Sequence, residues 1–411
     1  MSFVFKGRLH RLAVNSLECL FAFSSGITGA RAAFPTPADG DFAEGKGRLA
    51  IRGGWRFLHL EGNPREMGLQ QGKLLGPVIR RLLDEYLRGL LLWRGLTRAE
   101  LLRRGLRMEP FIPERYIEEM RAIAEGADMD YQDALIAHTF LESIQVARCS
   151  CYAAYGASTR NGEMIFGRNL DFLSMGFAHR AELIVFCKPE NGAPFISVSW
   201  PGWCGTLTAV NLNGLCLGLL NVARFTRDAT GLPYVILFRR MAQEAATCDE
   251  AIALLRSAAR TYSNSVLLAQ TSPVPRAVVV EYTRDEVAVR EGRPGDDFVV
   301  ATNHFRKLGR KAEWPDDRGY SRYPALVGLL RKRRGDLDLG TDIFPDPRVH
   351  LSNSLHALVA APERRTFRVA LGRRPAAAGP YRSFRYDENG IALPPLERAA
   401  PQFCMAQPNS L

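Results

Sequence analysis

The stretch RCSCYAAYGASTRNGEMIFGRNLDF, residues 148–172, is where the chain changes its period. Before it, apolar residues recur at helical spacing through MGLQQGKLLGPVIRRLLDEYLRGLLLW, TRAELLRRGL, PERYIEEMRAIAEGA and YQDALIAHTFLES, which predicts a mainly helical segment ahead of residue 148. After Arg148 the pattern turns to short β-rich runs between turn signals. Within the stretch, CYAAYGAST and EMIFGRNLDF flank Asn161-Gly162, a dipeptide favoured in tight hairpin turns. A hairpin closed there folds Arg168 to Asp171 back along the strand that begins at Cys149, so that a thiol, a guanidinium and a carboxylate meet. Arg168 and Asp171 lie three apart and face opposite sides of a regular strand, so a bulge or strand end is expected if both are to point at the thiol. Periodicity does not separate Cys149 from Cys151, because the two share one face.

The same hairpin logic applies to GTLTAV and LCLGLLNV around Asn213-Gly214. Further strands are expected in AELIVFCK, FISVSW, SVLLAQ, AVVVEY, FVVATN, LHALVAAP and TFRVALG, and amphipathic helices in PYVILFRRMAQEAA, CDEAIALLRSAAR and YPALVGLLRKRR. Antiparallel hairpins with helices grouped between them give an α+β layered fold rather than a doubly wound parallel sheet. No glycine-rich loop of the P-loop or dinucleotide-binding kind follows a strand, which leaves a nucleotide site without support. Thr97 with Glu100 reads as a capping box, Pro113 as a first-turn residue, and the apolar run Leu90 to Trp93 as core. Residues 33–48, AFPTPADGDFAEGKGR, read as a linker, with order beginning near Leu49. At the N-terminus Lys6, Arg8 and Arg11 precede a semi-apolar stretch that reaches Ala30-Arg31-Ala32, a signal-like outline whose centre Asn15 and Glu18 interrupt. That reads as retention in the cytoplasm, with export as the alternative, and no other stretch approaches a membrane span.

The 411 residues carry 46% hydrophobic and 24% charged side chains, a globular composition long enough for one large domain with an appended lobe or for two. The net charge of +11 has its densest run at Arg331 to Arg334, followed by Gly335, which is how a helix C-terminus is charged and capped. Without interleaved aromatics the run does not read as a nucleic-acid patch. Eight cysteines, at 19, 149, 151, 187, 204, 216, 248 and 404, form no CxxC pair and no metal-ligand spacing with the seven histidines. Neither a metal site nor a disulfide framework is expected.

Taken in order along the chain, these motifs resemble the penicillin acyltransferase family of N-terminal-nucleophile cysteine hydrolases, related to bile salt hydrolase and acid ceramidase. Cys149-Ser150 leads through a turn to Gly167-Arg168-Asn169-Leu170-Asp171, similar to the family's Cys followed by Ser or Thr and then GRNxD. GNPREMGLQQG (62–72) is similar to the opening of the family's helical pro-segment, and NLNGLCLGLLNV, ATNHF, SRY and LHALVAAPERRTFRVALG fall where members carry comparable stretches, so the resemblance covers roughly residues 50–385. It implies a four-layer αββα sandwich, with an arm at 1–48, a helical pro-segment at 49–148 and the hydrolase domain at 149–411. Family members cut their own chain just before the nucleophile, here between Arg148 and Cys149, although Arg148 departs from the Gly of penicillin acyltransferase itself. The resemblance assigns Asp171 to hold the new α-amine, Arg168 to lower the thiol pKa, Asn221 to stabilise the oxyanion, Asn303 to stand beside it, and Arg322 to complete the site. The chemistry has its own logic: a thiol needs a base, and a free α-amine with a pKa of roughly 7.7 to 8.0 serves as one within the same residue.

No cofactor or metal is implied, with acyl-coenzyme A conceivable as a co-substrate. The expected partner is a small N-acyl amide, and the two fragments are expected to stay associated. Apolar and aromatic residues in SWPGWCG, with Phe166, Phe172 and Phe305, suggest an apolar acyl group. Two other readings stand beside this one: an inactive binding or scaffold protein of the same fold, and a conventional Cys/His hydrolase using Cys149 or Cys151 with His304, His356 being the other candidate histidine.

Overall fold

The computed structural model describes residues 37–89, 95–144, 147–222, 230–309 and 318–396. The signal-like N-terminal stretch, the apolar run Leu90 to Trp93, Cys19 and Cys404 lie outside the described residues. Asn63 and Pro64 open helix α1 (Pro64–Arg81): the Asn63 side chain accepts from the Glu66 amide, the Glu66 carboxylate accepts from the Asn63 amide, and Pro64 supplies a helical φ. The helix runs on into a π-helical turn, Leu82–Leu87. Then follow α2 (Arg98–Met108), α3 (Glu114–Gly126) and α4 (Tyr131–Thr139). Only half of the box expected at Thr97 forms: its hydroxyl accepts from the Glu100 amide, but the Glu100 carboxylate turns to Arg103 and Arg104. Pro113 stands at the N-cap of α3.

Gly68 and Gly72 of the GLQQG motif allow α1 to lie directly on α3. A Cβ at Gly72 would sit 2.5 Å from the Ile123 carbonyl oxygen and 2.8 Å from the Gly126 Cα, and one at Gly68 would sit 2.6 Å from the Ala122 Cβ. The neighbours are backbone or a helix-bound methyl, so they cannot yield without the helices parting. Gly72→Leu is therefore expected to destabilise the protein by about 1–3 kcal/mol or more, read as an earlier midpoint in urea unfolding, whereas an unchanged midpoint contradicts this packing.

The strands form two sheets. The ten-stranded sheet runs in the order β1 (Gly40–Glu44), β2 (Gly47–Arg52), β3 (Trp55–Gly62), β6 (Leu183–Pro189), β7 (Phe195–Ser199), β8 (Thr208–Asn211), β9 (Cys216–Asn221), β10 (Asn264–Gln270), β11 (Arg276–Tyr282), β12 (Val287–Glu291). The seven-stranded sheet runs β13 (Phe298–Ala301), β4 (Arg148–Gly156), β5 (Gly162–Asp171), β14 (Ser354–Ala361), β15 (Thr366–Ala370), β16 (Arg382–Asp387), β17 (Gly390–Ile391). Their inner faces meet around buried Cys151 and Phe166 on one side and Gly218 with its cross-strand partner Leu267 on the other. Helices α5 (Tyr234–Glu244) and α6 (Cys248–Ser257) cover the outer face of the larger sheet, and α7 (Arg318–Lys332) covers β13 and β4 of the smaller one. Central strands such as NSVLLAQ are apolar on both faces because a helix and a sheet cover them. The result is the αββα order expected of the fold.

Two expectations are corrected. Residues 40–62 are strands, not a linker and the start of a helical segment, and β3 pairs in parallel with β6 from Arg56↔Leu183 to Gly62↔Pro189. The Gly and Asp around the short alternating runs DFAE and RLAIR hide their strand character. The β4–β5 hairpin exists, but its loop spans 157–161, and Gly162, at φ 76°, opens β5 instead of occupying a two-residue turn. A bulge at Ala154/Gly156 sets that longer loop. The arginine run ends α7, and Gly335 takes φ 83° beyond it, as a helix end requires.

Candidate active site

Strand pairing separates the two cysteines. On one side β4 pairs with β13 only from Cys151 to Ala154, and β13 stops at Ala301. The Cys151 backbone is thus enclosed between two strands, while Cys149 lies beyond the end of β13. There its amide meets a side chain instead of a ladder: Cys149 N donates to Asn303 Oδ1 at 2.6 Å. The Cys149 carbonyl accepts from Arg322 Nη1 at 2.8 Å, and its sulfur accepts from Arg168 Nη2 at 3.4 Å. Amide, carbonyl and thiol of one residue meet three different side chains, Asn303 just past β13, Arg322 of α7 and Arg168 of β5, and the residue is fully buried. Cys151 packs against β9, where a Cβ at Gly218 would lie 2.7 Å from its sulfur and 3.0 Å from the Arg168 Cγ.

The structure brings Arg168, Asn303 and Arg322 to Cys149 directly, and Asp171 only through Arg322. β5 stays in register with β4 from Cys151↔Arg168 to Arg148↔Asp171 without a bulge, so Arg168 and Asp171 face opposite sides of the sheet. The irregularity lies on the neighbouring strand, between Ser354 and His356. On the side facing α7, Arg322 Nη1 donates also to Ser150 Oγ at 2.8 Å and to Asp171 Oδ2 at 3.4 Å, and its Nη2 donates to Asn303 Oδ1 at 2.8 Å. Asp171 accepts further from Asn169 Nδ2 and the Leu351 amide. In the uncut chain the atom at the Cys149 nitrogen is therefore Asn303 Oδ1, not an Asp171 oxygen. Asn303 Nδ2 in turn donates to the Asn221 carbonyl at 2.7 Å, and Asn221 Nδ2 donates to Asn264 Oδ1 at 2.9 Å.

Burial pushes the Cys149 thiol above its ordinary pKa, against the opposing pull of Arg168. That corrects the expected lowering: the guanidinium is in place, but desolvation in the closed, uncut chain is the larger effect. Burial raises the Cys151 thiol as well. The Cys/His reading finds no support in the hydrogen bonds of the described residues: His356 Nε2 meets Arg168 Nη1 at 2.8 Å, and His304 Nδ1 meets Thr302 Oγ1 at 2.9 Å. All six described cysteines are free and buried, and among the described residues no cluster suited to a metal ion occurs. Sequence reasoning missed Glu182, which bonds His356, and Asn264. Each left a trace, as a charged or amide residue at the head of an otherwise apolar strand in AELIVFCK and NSVLLAQ.

Beside Leu170, the cross-strand partner of Cys149, opens an apolar cavity. Its walls come from α1 and the π-turn (Ile79, Leu82, Leu83, Tyr86, Leu87), from α4 and beyond (Ala137, Phe140, Leu141), and from Phe172, Trp200, Trp203, Leu219 and Tyr234. Glu142, also buried, accepts from the Tyr234 amide at 2.7 Å. Burial pushes its carboxyl up from 4.5 to about 8. The folded chain thus keeps a proton that the unfolded chain gives up: the contribution to stability is complete below pH 4.5 and is lost as pH rises through 8. Glu142→Gln, which keeps an oxygen for Tyr234, is expected to flatten the fall in Tm between pH 5 and 8. Parallel Tm profiles for the two proteins would overturn this assignment.

Residues 158–331 match the family model for acyl-coenzyme A:6-aminopenicillanic acid acyl-transferase. The matched span holds Arg168, Asp171, Asn221, Asn303 and Arg322 and begins just beyond Cys149. The chain is 25% identical over 346 residues to an uncharacterised protein of Archaeoglobus fulgidus, covering 72% of this chain and 58% of that protein, so it spans little more than half of that relative's length. It is 26% identical over 318 residues to protein dcd1A of Dictyostelium discoideum, covering 69% of this chain and 71% of that one. Among solved structures, a Caenorhabditis elegans N-acylethanolamine-hydrolyzing acid amidase ortholog aligns at TM-score 0.38 and 18% identity over 52% of this chain and 93% of its own. A mutant of the conjugated bile acid hydrolase from Clostridium perfringens aligns at TM-score 0.38 and 10% identity over 61% of this chain and 100% of its own. Over residues 158–331, less than half of its length, the chain is similar to the acyl-coenzyme A:6-aminopenicillanic acid acyl-transferase family.

Proposed function

We propose that this chain is a self-processing cysteine hydrolase or acyltransferase of linear amides, with Cys149 as nucleophile and the cut between Arg148 and Cys149. One observation carries the reading: the amide, carbonyl and thiol of Cys149 are each held by a separate buried polar group, Asn303, Arg322 and Arg168. A structural cysteine has no need of that arrangement. In processing, the Cys149 sulfur attacks the Arg148 carbonyl carbon, the C–N bond breaks, and the departing nitrogen takes up the thiol proton. Water then hydrolyses the Arg148 thioester and frees both thiol and α-amine.

In turnover the α-amine takes the thiol proton, the thiolate attacks the substrate carbonyl, and the ammonium returns a proton to the leaving amine. Asn303 Oδ1, already aimed at this nitrogen, orients it. Arg168 stabilises the thiolate, and Asn221 takes the role of donor to the oxyanion, a contribution worth roughly 3 to 4 kcal/mol in other hydrolases. Water or an acceptor amine then takes the acyl group from the thioester. The two fragments stay together after the cut, held by the β3–β6 ladder, by the buried pair of Glu119 and Arg239 at 3.6 Å, and by Glu142 on the Tyr234 amide.

The substrate class follows from the cavity, whose walls are apolar and aromatic and come from both fragments. An acyl chain fits there, with its carbonyl towards Cys149. Across a series of N-acyl amides from acetyl to long-chain acyl, kcat/KM is expected to rise about threefold to fourfold per added methylene until the cavity is filled. A flat series, or one that falls from acetyl onward, overturns the apolar-acyl reading.

A further inference from the structure

Behind Arg168 stands a second line of buried groups that the reaction as drawn does not use. Arg168 Nη1 donates to His356 Nε2 at 2.8 Å, and His356 Nδ1 lies 2.6 Å from Glu182 Oε1. Arg168 and His356 are fully buried and Glu182 nearly so. They come from three elements: Arg168 from β5, His356 from β14, and Glu182 from the residue ahead of β6 in the opposing sheet. The tautomer is fixed by elimination. A guanidinium N–H only donates, so Nε2 carries the lone pair, Nδ1 carries the hydrogen, and Glu182 accepts it. The imidazole is therefore neutral, in keeping with its pKa being held well below the ordinary value by burial and by Arg168.

The direction of these bonds matters for the thiol. Arg168 sits at the end of a long flexible side chain, and its Nε finds no partner. Its orientation rests on the two Nη groups, one on His356 and the other on the Cys149 sulfur, with the Leu219 carbonyl at 3.5 Å and the Cys151 sulfur also beside it. Trp200, a wall of the apolar cavity, lies against the His356 ring with centroids 6.1 Å apart.

We propose that Glu182 and His356 are a buried positioning pair that aims the Arg168 guanidinium at the Cys149 sulfur. The inference rests on Cys149 being the nucleophile. Besides Arg168, the charged groups that act on this thiol are Asp171 and Arg322, both on the far side of the sheet and both unaltered by changes at His356. His356→Leu removes the acceptor and frees the guanidinium to turn away. His356→Gln keeps an oxygen within reach of Nη1.

The test is the pH dependence of iodoacetamide alkylation at Cys149, read by peptide mass in the full chain, cut or uncut. For His356→Leu the midpoint is expected to rise by about one pH unit, leaving about tenfold less thiolate below it. On an N-acyl amide, kcat is expected to fall by a similar factor with KM little changed, and His356→Gln should recover most of both. An unchanged alkylation profile in His356→Leu, or a His356→Gln protein as impaired as His356→Leu, overturns the proposal. Independently of how the variants fold, ¹⁵N-histidine NMR of the unmodified protein must show His356 neutral with its hydrogen on Nδ1; a protonated ring or an Nε2–H tautomer overturns it too. If alkylation of Cys149 leaves amide hydrolysis intact, the nucleophile reading fails instead, and the alkylation and NMR results still decide the geometry.

Discussion

Cys149→Ala is expected to yield a single uncut chain without amide hydrolysis, while Cys151→Ala is cut and active. The two thiols lie on one face and neighbour the same arginine, so the difference comes from the backbone. Cys151 is enclosed between β13 and β5 with its pairing complete, whereas Cys149 stands past the end of β13, where Asn303 Oδ1 takes its amide hydrogen. Only at Cys149 does scission leave an amine with a prepared acceptor and without the loss of an internal ladder bond. Removing a covalent nucleophile lowers kcat by a factor on the order of 10⁶ in well-studied hydrolases, so the loss is expected to reach the limit of detection. Loss of activity in Cys151→Ala with retention in Cys149→Ala would exchange the roles.

Arg322→Ala is expected to have the second largest effect, on folding as well as on processing. The guanidinium is 2% exposed and donates to the Cys149 carbonyl, Ser150 Oγ, Asp171 Oδ2 and Asn303 Oδ1. Burial already raises the Asp171 pKa, and Arg322 is the main influence opposing it. Taking the cation away leaves a buried carboxylate without its counter-charge, a loss of about 3–5 kcal/mol. It also unfastens the Cys149 carbonyl and Asn303 together, so processing should stop even where the chain folds. Adding Asp171→Asn to Arg322→Ala removes the orphaned charge and is expected to restore much of the stability but none of the processing. Denaturant titration and gel analysis of the single and double variants separate the two effects, and additive stability losses would show that the Arg322–Asp171 pair does not couple.

Much of this site is legible in the sequence because its parts sit where one periodicity gives way to another. The switch at Arg148 and the return of GRNLD across a turn point to Cys149 and Arg168, and the order of NLNG, ATNHF and SRY, read through the family resemblance, adds Asn221, Asn303 and Arg322 as candidates. What the pattern does not carry is direction. A three-residue spacing warns that Arg168 and Asp171 face apart, yet only the strand register shows that no bulge reconciles them and that Arg322 mediates instead. The thiol pKa goes the other way from expectation for a related reason: a nearby cation can be inferred from a motif, but the depth of burial that outweighs it depends on how two sheets and α7 close over the residue. Strands β1 and β2 escape notice because short runs with exposed residues among Gly and Asp look like linker, and β3 is held in place by a parallel partner more than a hundred residues downstream. His356, a candidate partner for the thiol in the sequence, is bonded instead to Arg168 and Glu182.

Conversion of Cys149 into an N-terminal residue is read from the intact mass of the purified protein together with the N-terminal residue of each fragment. Two chains that copurify and separate only in denaturant are expected, the second beginning at Cys149. A single uncut chain that hydrolyses N-acyl amides would contradict it.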